Sequence, residues 1–153
     1  MGNKISKKEK FGFLFMCVAM VAIMWGAGYL INGAEMKVLP NKGQVDAIVI
    51  TDTRLTEEER LVNTEDEIKT ACSALDVVRI KYGEVVITDV ADDMFLTMTF
   101  DMKDGSTKVF QASETHIIWD GTAYEAKQRG HKMFLEVMEN IFFPAYVETN
   151  GDK

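Results

Sequence analysis

One long apolar run stands near the start of the chain. It covers residues 11–31 and contains no charged residue. An α-helix rises about 1.5 Å per residue, so this run spans roughly 30 Å, which is close to the thickness of the hydrocarbon core of a bilayer. The pattern therefore predicts a transmembrane signal anchor at residues 11–32.

The charges on either side of this run predict its orientation. Residues 1–10 contain four lysines and one glutamate, whereas Glu35 and Lys37 cancel each other after the run. The positively charged flank of a membrane span stays in the cytoplasm. We therefore predict a single-pass cell-membrane protein with a basic cytoplasmic segment at residues 1–10 and an extracytoplasmic C-terminal part.

The sequence leaves open whether this run is cleaved and whether it associates with a second membrane helix. Gly26 and Gly28 offer a signal peptidase small residues, although a cleavable signal has a shorter apolar core of about 7–15 residues. Ala22 and Gly26 form a small-xxx-small pair, which lets two membrane helices approach each other closely. We favour an uncleaved anchor and leave its oligomeric state open.

After a linker at residues 33–44, the spacing of apolar residues indicates a folded domain. Residues 45–51 are rich in β-branched side chains and predict a strand. Thr64 and Glu67 have the spacing of a capping box, which predicts a helix at about 65–76. Its apolar residues fall at i, i+3, i+4 and i+7: Ile68, Ala71, Cys72 and Leu75.

From Glu84 onward, apolar residues alternate with polar ones, which is typical of half-buried strands. Asp-Gly pairs at 104–105 and 120–121 predict two tight hairpin turns. The strands are predicted at residues 84–90, 94–102, 107–112, 116–119 and 122–124. A last helix ends at Pro144 and has one broad apolar face: Met133, Phe134, Val137, Met138, Ile141 and Phe142.

The order of these elements predicts an α+β fold class. We expect an antiparallel sheet of about four to five strands, packed by two helices in the order β-α-β-β-β-β-α, after the N-terminal transmembrane helix. The extracytoplasmic domain is predicted to cover residues 45–147, and residues 148–153 are assigned to a tail.

Several segments of this domain resemble a known group of proteins. The segments VDAIVIT, TEDEI, MTFDMKDGSTKVF and IIWDGTAYEA follow a lysine-rich anchor and a short linker. Together they resemble an uncharacterised family of small signal-anchored extracytoplasmic α+β domains from Gram-positive bacteria. The resemblance covers residues 45–143 and rests on turn and core residues. It implies a bacterial protein, a location and a fold, and it assigns no functional residue.

The net charge argues against one class of partner. The chain carries −7 and residues 1–10 carry +3, which leaves −10 for the rest. Binding to nucleic acid depends on clusters of Lys and Arg. We therefore predict no nucleic-acid partner.

The sequence predicts no catalytic, cofactor-binding or metal-binding residue, and no cofactor. The two histidines, His116 and His131, lack the spacing of a metal site. Ser113 and His116 are predicted on opposite faces of a strand, which argues against a nucleophile with its base. An envelope hydrolase built on Glu114, His116 and Asp120 stays a less favoured alternative.

Other chemically suggestive residues receive structural interpretations. Cys72 is interpreted as a buried, inert thiol. The methionines and phenylalanines of the strands and last helix are interpreted as core, with Phe143 and Tyr146 the best candidates for exposed apolar residues. An acidic cluster is interpreted as turn-forming rather than calcium-binding: Asp89, Asp92, Asp93, Asp101 and Asp104.

These observations favour a membrane-anchored extracytoplasmic protein that is not an enzyme. We predict an interaction or sensing module at the cell envelope, with another envelope protein or a cell-wall component as partner and an exposed strand edge as docking site. The alternative is a small-ligand or lipid-binding domain, which requires a cavity between the sheet and the helices. The sequence leaves the partner and the biological process open.

Overall fold

The computed structural model describes most of the chain, namely residues 16–24, 26–28, 34–35, 39–56 and 58–145. The chain divides into two compact units, residues 1–33 and residues 34–153.

In the first unit, residues 16–24 and 26–28 are helical. Among the described residues, no helix is both long enough and apolar enough to cross a membrane. The other residues of the predicted anchor at 11–32 lie outside the described residues. The predicted basic segment at 1–10 and the tail at 148–153 also lie outside them.

The second unit contains one antiparallel sheet, which has eight strands in the described part of the chain. The strands are β1 (Ala34–Glu35), β2 (Val45–Asp52), β3 (Arg60–Val62), β4 (Arg79–Val85), β5 (Leu96–Met102), β6 (Thr107–Ala112), β7 (His116–Trp119) and β8 (Thr122–Ala126). Their order across the sheet is β1-β4-β8-β7-β6-β5-β2-β3.

The strands β5, β6, β7 and β8 form a meander at the centre of this sheet. Each pairs with the next in antiparallel register. Asp120 and Gly121 make the last hairpin turn with φ angles of 48° and 82°, the positive values that a two-residue hairpin loop favours. Strand β2 adds beside β5, and β4 adds beside β8.

Two helices pack on one face of the sheet. They are α1 (Glu65–Leu75) and α2 (Gln128–Phe142). At the start of α1, the Thr64 hydroxyl accepts a hydrogen bond from the Glu67 amide at 3.4 Å and donates one to its carboxylate at 2.7 Å. The predicted N-cap at Thr64 is therefore confirmed, as are the α+β class and the position of α1. The Glu67 carboxylate binds the Thr64 hydroxyl, however, and not the Thr64 backbone amide that completes a capping box.

An aromatic cluster fills the space between α2 and the sheet. Phe110 lies edge-on to Phe134 of α2, with ring centroids 5.4 Å apart, and 6.3 Å from Trp119 of β7. Phe100, Phe110 and Phe134 are fully buried. The opposite face of the sheet carries a smaller buried cluster of Val90, Ile118 and Ala123.

The number of strands was predicted wrongly. The described residues form eight strands rather than four to five, and β1 lies within the segment predicted as a linker. With two and three residues, β1 and β3 are too short to show any period in the sequence. Each forms only because a longer strand, β4 or β2, offers it an edge.

The strand predicted at residues 84–90 was also misplaced. Strand β4 begins at Arg79 and ends at Val85, and two 3-10 turns follow, Ile87–Asp89 and Ala91–Asp93. Aspartate favours turns over strands. Val90, between the two turns, is buried on the second face of the sheet, which explains its apolar character.

The first turn of α2 lies very close to the loop that follows α1. A Cβ atom at Gly130 would overlap the carbonyl oxygen of Val77, which belongs to the backbone and cannot rotate away. A glycine at this position therefore lets α2 approach the loop more closely than any other residue would.

We expect Gly130→Ala to destabilise the domain. Alanine favours a helix by about 1 kcal/mol over glycine, but overpacking against a fixed backbone costs typically about 1–3 kcal/mol. Urea unfolding of the variant should therefore show a lower free energy of unfolding. Gly43→Ala is the matched control, because a Cβ there would lie 3.6 Å from the nearest atom, the Asn41 Oδ1. A stabilised Gly130→Ala variant would contradict the close approach.

Candidate functional site

A groove of about 590 Å³ lies between α1 and α2. Residues of one side of α1 and the loop after it form the first wall: Asp66, Lys69, Thr70, Ser73, Ala74 and Val77. Met133 and Val137 of α2 form the second. Four of the eight lining side chains are apolar, so the groove is a candidate site for an apolar partner.

Helix α2 carries two apolar stripes, and the sheet covers only one of them. Phe134, Met138 and Phe142 are buried against the sheet. Met133 and Ile141, four residues to either side of Val137, are 46% and 49% exposed. The single broad face predicted from the sequence is therefore wrong in part, because its outer half faces away from the core.

Two residues of the outer stripe, Met133 and Val137, also line the groove, and we call the stripe and the groove together the helix-layer face. It comprises the exposed Met133 and Ile141 and the half-buried Val137 of α2, with the buried Ala74 and the half-buried Val77 on the opposite wall of the groove. Isolated exposed apolar side chains are ordinary, but a contiguous apolar surface rimmed by polar residues is typical of a binding site.

Charged side chains lie near this face on both helices. Asp66 and Lys69 both line the α1 wall. On α2, the Nζ atom of Lys132 lies 3.7 Å from a carboxylate oxygen of Glu136, one helical turn away. Arg129, one helical turn before Met133, is exposed as well.

At one end of the sheet, Arg54 joins three parts of the fold. Its guanidinium donates to the buried Asp52 at 3.0 Å, to Glu114 in the β6–β7 turn at 2.9 Å, and to Glu139 of α2. It also stacks on the Phe95 ring, 3.5 Å from the centroid. Burial disfavours the charged form, but the hydrogen bond and charge of Asp52 outweigh it and raise the pKa of Arg54.

His131 fastens the first turn of α2 to the same β6–β7 turn. Its Nε2 atom lies 2.6 Å from the carbonyl oxygen of Ser113, and since a carbonyl only accepts, Nε2 carries the hydrogen. The Nδ1 atom is buried without a hydrogen-bond partner among the described residues. The ring stacks on Phe134, with centroids 6.2 Å apart. Burial lowers the pKa of His131, so the neutral form is favoured.

The residues of the hydrolase alternative do not converge. The Glu114 carboxylate pairs with Arg54, and the Nδ1 atom of His116 lies 2.9 Å from the Thr115 hydroxyl. Asp120 sits in the hairpin turn at the other end of β7. The Ser113 hydroxyl accepts from the His116 amide at 3.0 Å, which is a turn contact.

The other chemically suggestive residues have structural surroundings. Cys72 is buried, and burial, with the charge of Asp76, raises the pKa of its thiol to about 11. Asp104 accepts two hydrogen bonds from Ser106 in the β5–β6 turn, as a turn residue does. In the part of the chain that the structure describes, no three His, Cys, Asp or Glu residues are placed to hold a metal ion.

One expectation about an exposed docking residue needs correction. Phe143 is only 4% exposed and belongs to the main core, whereas Tyr146 lies outside the described residues. The outer strands are also short, since β3 has three residues and β1 has two. The helix-layer face is not evident from the sequence, because Met133 and Ile141 belong to the same apolar face of the helix as the buried Phe134 and Met138.

Comparison with protein-family models, curated protein sequences and solved structures finds no match to this chain. The resemblance to small extracytoplasmic domains of Gram-positive bacteria therefore stays a prediction.

We expect the stability of the domain to fall as the pH drops below about 6.5, the usual pKa of histidine. The pKa of His131 is lowered in the folded state, so the unfolded chain binds a proton at a higher pH than the folded chain. Each pH unit below this point lowers the free energy of unfolding by up to about 1.4 kcal/mol. The negative charge of Glu114 opposes this effect and the nearby His116 adds to it. Urea unfolding at several pH values between 7.5 and 5.5 measures how steeply the free energy of unfolding falls with pH.

His131→Gln is the control for this slope. Its amide retains a hydrogen-bond donor for the Ser113 carbonyl but does not titrate. The variant should start from a lower stability and lose less of it with falling pH. An equal slope in both proteins would assign the pH dependence to other groups.

Proposed function

We propose that this chain is a membrane-anchored extracytoplasmic protein whose C-terminal domain is a non-enzymatic interaction or sensing module at the cell envelope. In this proposal the apolar run at residues 11–32 is an uncleaved, single-pass anchor with its N-terminus in the cytoplasm. Its support is the charge-free length of the run and the four lysines that precede it.

The helix-layer face is the observation that carries the interaction proposal. Met133 and Ile141 expose nearly half of their surface beside an apolar groove, although α2 already contributes a complete inward stripe to the core. Exposed methionine and isoleucine have no role in holding α2 on the sheet. Their position is the one expected of side chains that another polypeptide covers.

The geometry supports a protein partner better than a small ligand. The groove lies at the surface between the helices, whereas a small-molecule site of the predicted kind lies between helices and sheet. At that inner position the large side chains of Phe110, Phe134 and Met138 are fully buried and in contact with the core.

Strand addition receives less support than docking on the helices. An added strand gains affinity from a row of backbone hydrogen bonds. Strand β3 pairs with β2 over only Ile48, Val49 and Ile50 and offers three residues on its outer side. The helix-layer face presents a longer apolar surface.

The proposed topology predicts a difference in cysteine labelling between two positions. In a Cys17→Ser background, Thr88→Cys places an exposed thiol in the domain, while buried Cys72 with its raised pKa stays unreactive. A membrane-impermeant maleimide should label Thr88→Cys in intact cells. Ser6→Cys, in the basic segment, is the control and should react only after lysis. Labelling of both thiols in intact cells, or of neither, would refute this topology.

The interaction proposal predicts site-specific crosslinking in living cells. A photoreactive residue at Met133 or Ile141 of the full chain should give one discrete protein adduct, because both side chains are exposed on the helix-layer face. The control position is Asp101 of β5, which is exposed and whose neighbours Phe100 and Met102 are buried. The same adducts from all three positions, or none from Met133 and Ile141, would refute the proposal.

A further inference from the structure

We propose that His131 is a pH-sensitive latch on the helix-layer face: when its ring takes up a proton, the first turn of α2 opens and the Met133 end of the face loses its shape. The latch rests on the proposed function, because it regulates the surface that carries that function. Its support is the weakness of this turn, the surroundings of the ring and the position of the turn beside the groove.

The first turn of α2 has few stabilising interactions of its own. Lys127 at its N-cap forms no capping hydrogen bond with its side chain, and Gly130 favours a helix less than any residue except proline. The turn contains no acidic residue, whereas Arg129 and Lys132 place positive charge near the positive end of the helix dipole. By contrast, α1 begins with the Thr64 cap and three acidic residues. The first turn of α2 therefore depends on contacts with the rest of the domain.

His131 supplies a buried contact of this kind. Its ring is 1% exposed and donates from Nε2 to the Ser113 carbonyl. The buried Nδ1 atom has no hydrogen-bond partner among the described residues. Protonation places a hydrogen on Nδ1, which turns this atom into a donor on a charged ring without an acceptor. Because a buried donor without an acceptor is unfavourable, the closed turn disfavours the protonated ring.

The charged groups on the sheet side of the ring do not remove this penalty. Burial lowers the pKa of His131 most strongly, while the hydrogen bond to Ser113 and the charge of Glu114 raise it. The Glu114 carboxylate is largely exposed and pairs with Arg54. His116 of β7 lowers the pKa of His131 further. The pKa of the buried ring therefore stays below its usual value.

The helix side of the ring offers Nδ1 no acceptor among the described residues. The loop after α1 meets the turn at Gly130 with backbone atoms of Val77 and Arg79. In this loop, the Arg79 guanidinium donates to the Asp76 carbonyl. The charged residues of the turn itself are basic and only donate: Lys127, Arg129 and Lys132. The proton is therefore accommodated when the ring leaves its pocket.

Opening of the first turn changes one end of the helix-layer face. Met133 lines the groove directly after this turn, and its amide loses its carbonyl partner when residues 128–132 leave the helix. Gly130 then withdraws from the loop after α1, and the close approach of the helix is lost. The Ile141 end is unaffected, because the next residue, Phe142, is buried in the core.

The size of the response follows from the usual pKa of histidine, about 6.5. In the open turn the ring titrates near this value, whereas in the closed turn its pKa is lowered. Falling pH therefore favours the open turn, whose population should rise roughly tenfold between pH 7.5 and 5.5. From a minor population of about a few per cent, the open form then reaches some tens of per cent.

Amide hydrogen exchange of the full chain in detergent micelles tests the latch. Rates at pH 7.5 and 5.5 are each divided by the intrinsic rate of the amide at that pH. Exchange of residues 131–133 should be faster than that of β5 at both pH values and should rise roughly tenfold at pH 5.5. The matched amides of α1, at residues 68–70, should rise less, because no histidine holds that turn.

Two results of this experiment would overturn the latch. One is the absence of a rise at residues 131–133. The other is exchange there as slow as in β5 at both pH values, because the turn would then open only when the whole domain unfolds.

Two variants assign the response to one ring. The chain contains only two histidines, and histidine is the side chain whose usual pKa lies between pH 5 and 8. His131→Gln keeps a donor for the Ser113 carbonyl but does not titrate, so the rise should disappear. His116→Gln should retain the rise, which assigns it to His131 even where His131→Gln is too unstable to measure. A rise that persists in His131→Gln, or that His116→Gln abolishes, would overturn the latch.

Photocrosslinking in cells separates the latch from the proposed function. With the photoreactive residue at Met133, the adduct should be weaker at pH 5.5 than at pH 7.5, whereas the adduct from Ile141 should be equal at both. Equal adducts from Met133 at both pH values would overturn the regulation of the face and leave the interaction module intact. No adduct from either position at either pH would refute the proposed function, while hydrogen exchange would still decide whether the turn opens.

Discussion

The contact between Gly130 and the Val77 carbonyl sets how closely the two helices of this domain can approach. A side chain at position 130 would push the first turn of α2 away from the loop after α1. The position of α2 decides which of its residues reach the sheet. With α2 as close as glycine permits, Phe134 and Met138 enter the aromatic core, and Met133 and Val137 are left beside α1. The groove is thus a consequence of how the helix layer packs.

Polar contacts at one end of the sheet hold α2 in this position. His131 donates to the Ser113 carbonyl near the start of the helix, and Glu139 pairs with Arg54 two turns later. Arg54 also binds Glu114, next to Ser113, so both contacts lead to the β6–β7 turn. These contacts contribute direction more than net stability. Removing His131 from water offsets much of its attraction to the Ser113 carbonyl, and ion pairs as exposed as Arg54–Glu114 contribute little. They fix the rotation of α2 that leaves Met133 and Ile141 outside.

Most of the fold was predictable because its elements have clear local signals. Residues close together in the sequence determine these signals, and the structure confirms three of them: the alternation in β5, the Asp-Gly turns and the cap formed by Thr64 and Glu67. Strands β1 and β3 were not predictable, because their pairing depends on edges supplied by distant parts of the chain. The helix-layer face was missed for a related reason. The spacing of apolar residues along a helix is the same whether a sheet or another protein covers them. Only the packing of α2 therefore distinguishes the exposed Met133 from the buried Phe134.

The brevity of β3 has a consequence for behaviour at high local density. An outer strand of a sheet is a template on which other chains can polymerise, and long, flat, apolar edges are the most hazardous. Strand β3 exposes the apolar Leu61 but has only three residues. Arg60, which precedes Leu61 in the strand, is charged and pairs with Glu67. A chain that adds there finds too few hydrogen bonds to start a fibril. Crowded copies of this domain are therefore protected from aggregation at the β3 edge.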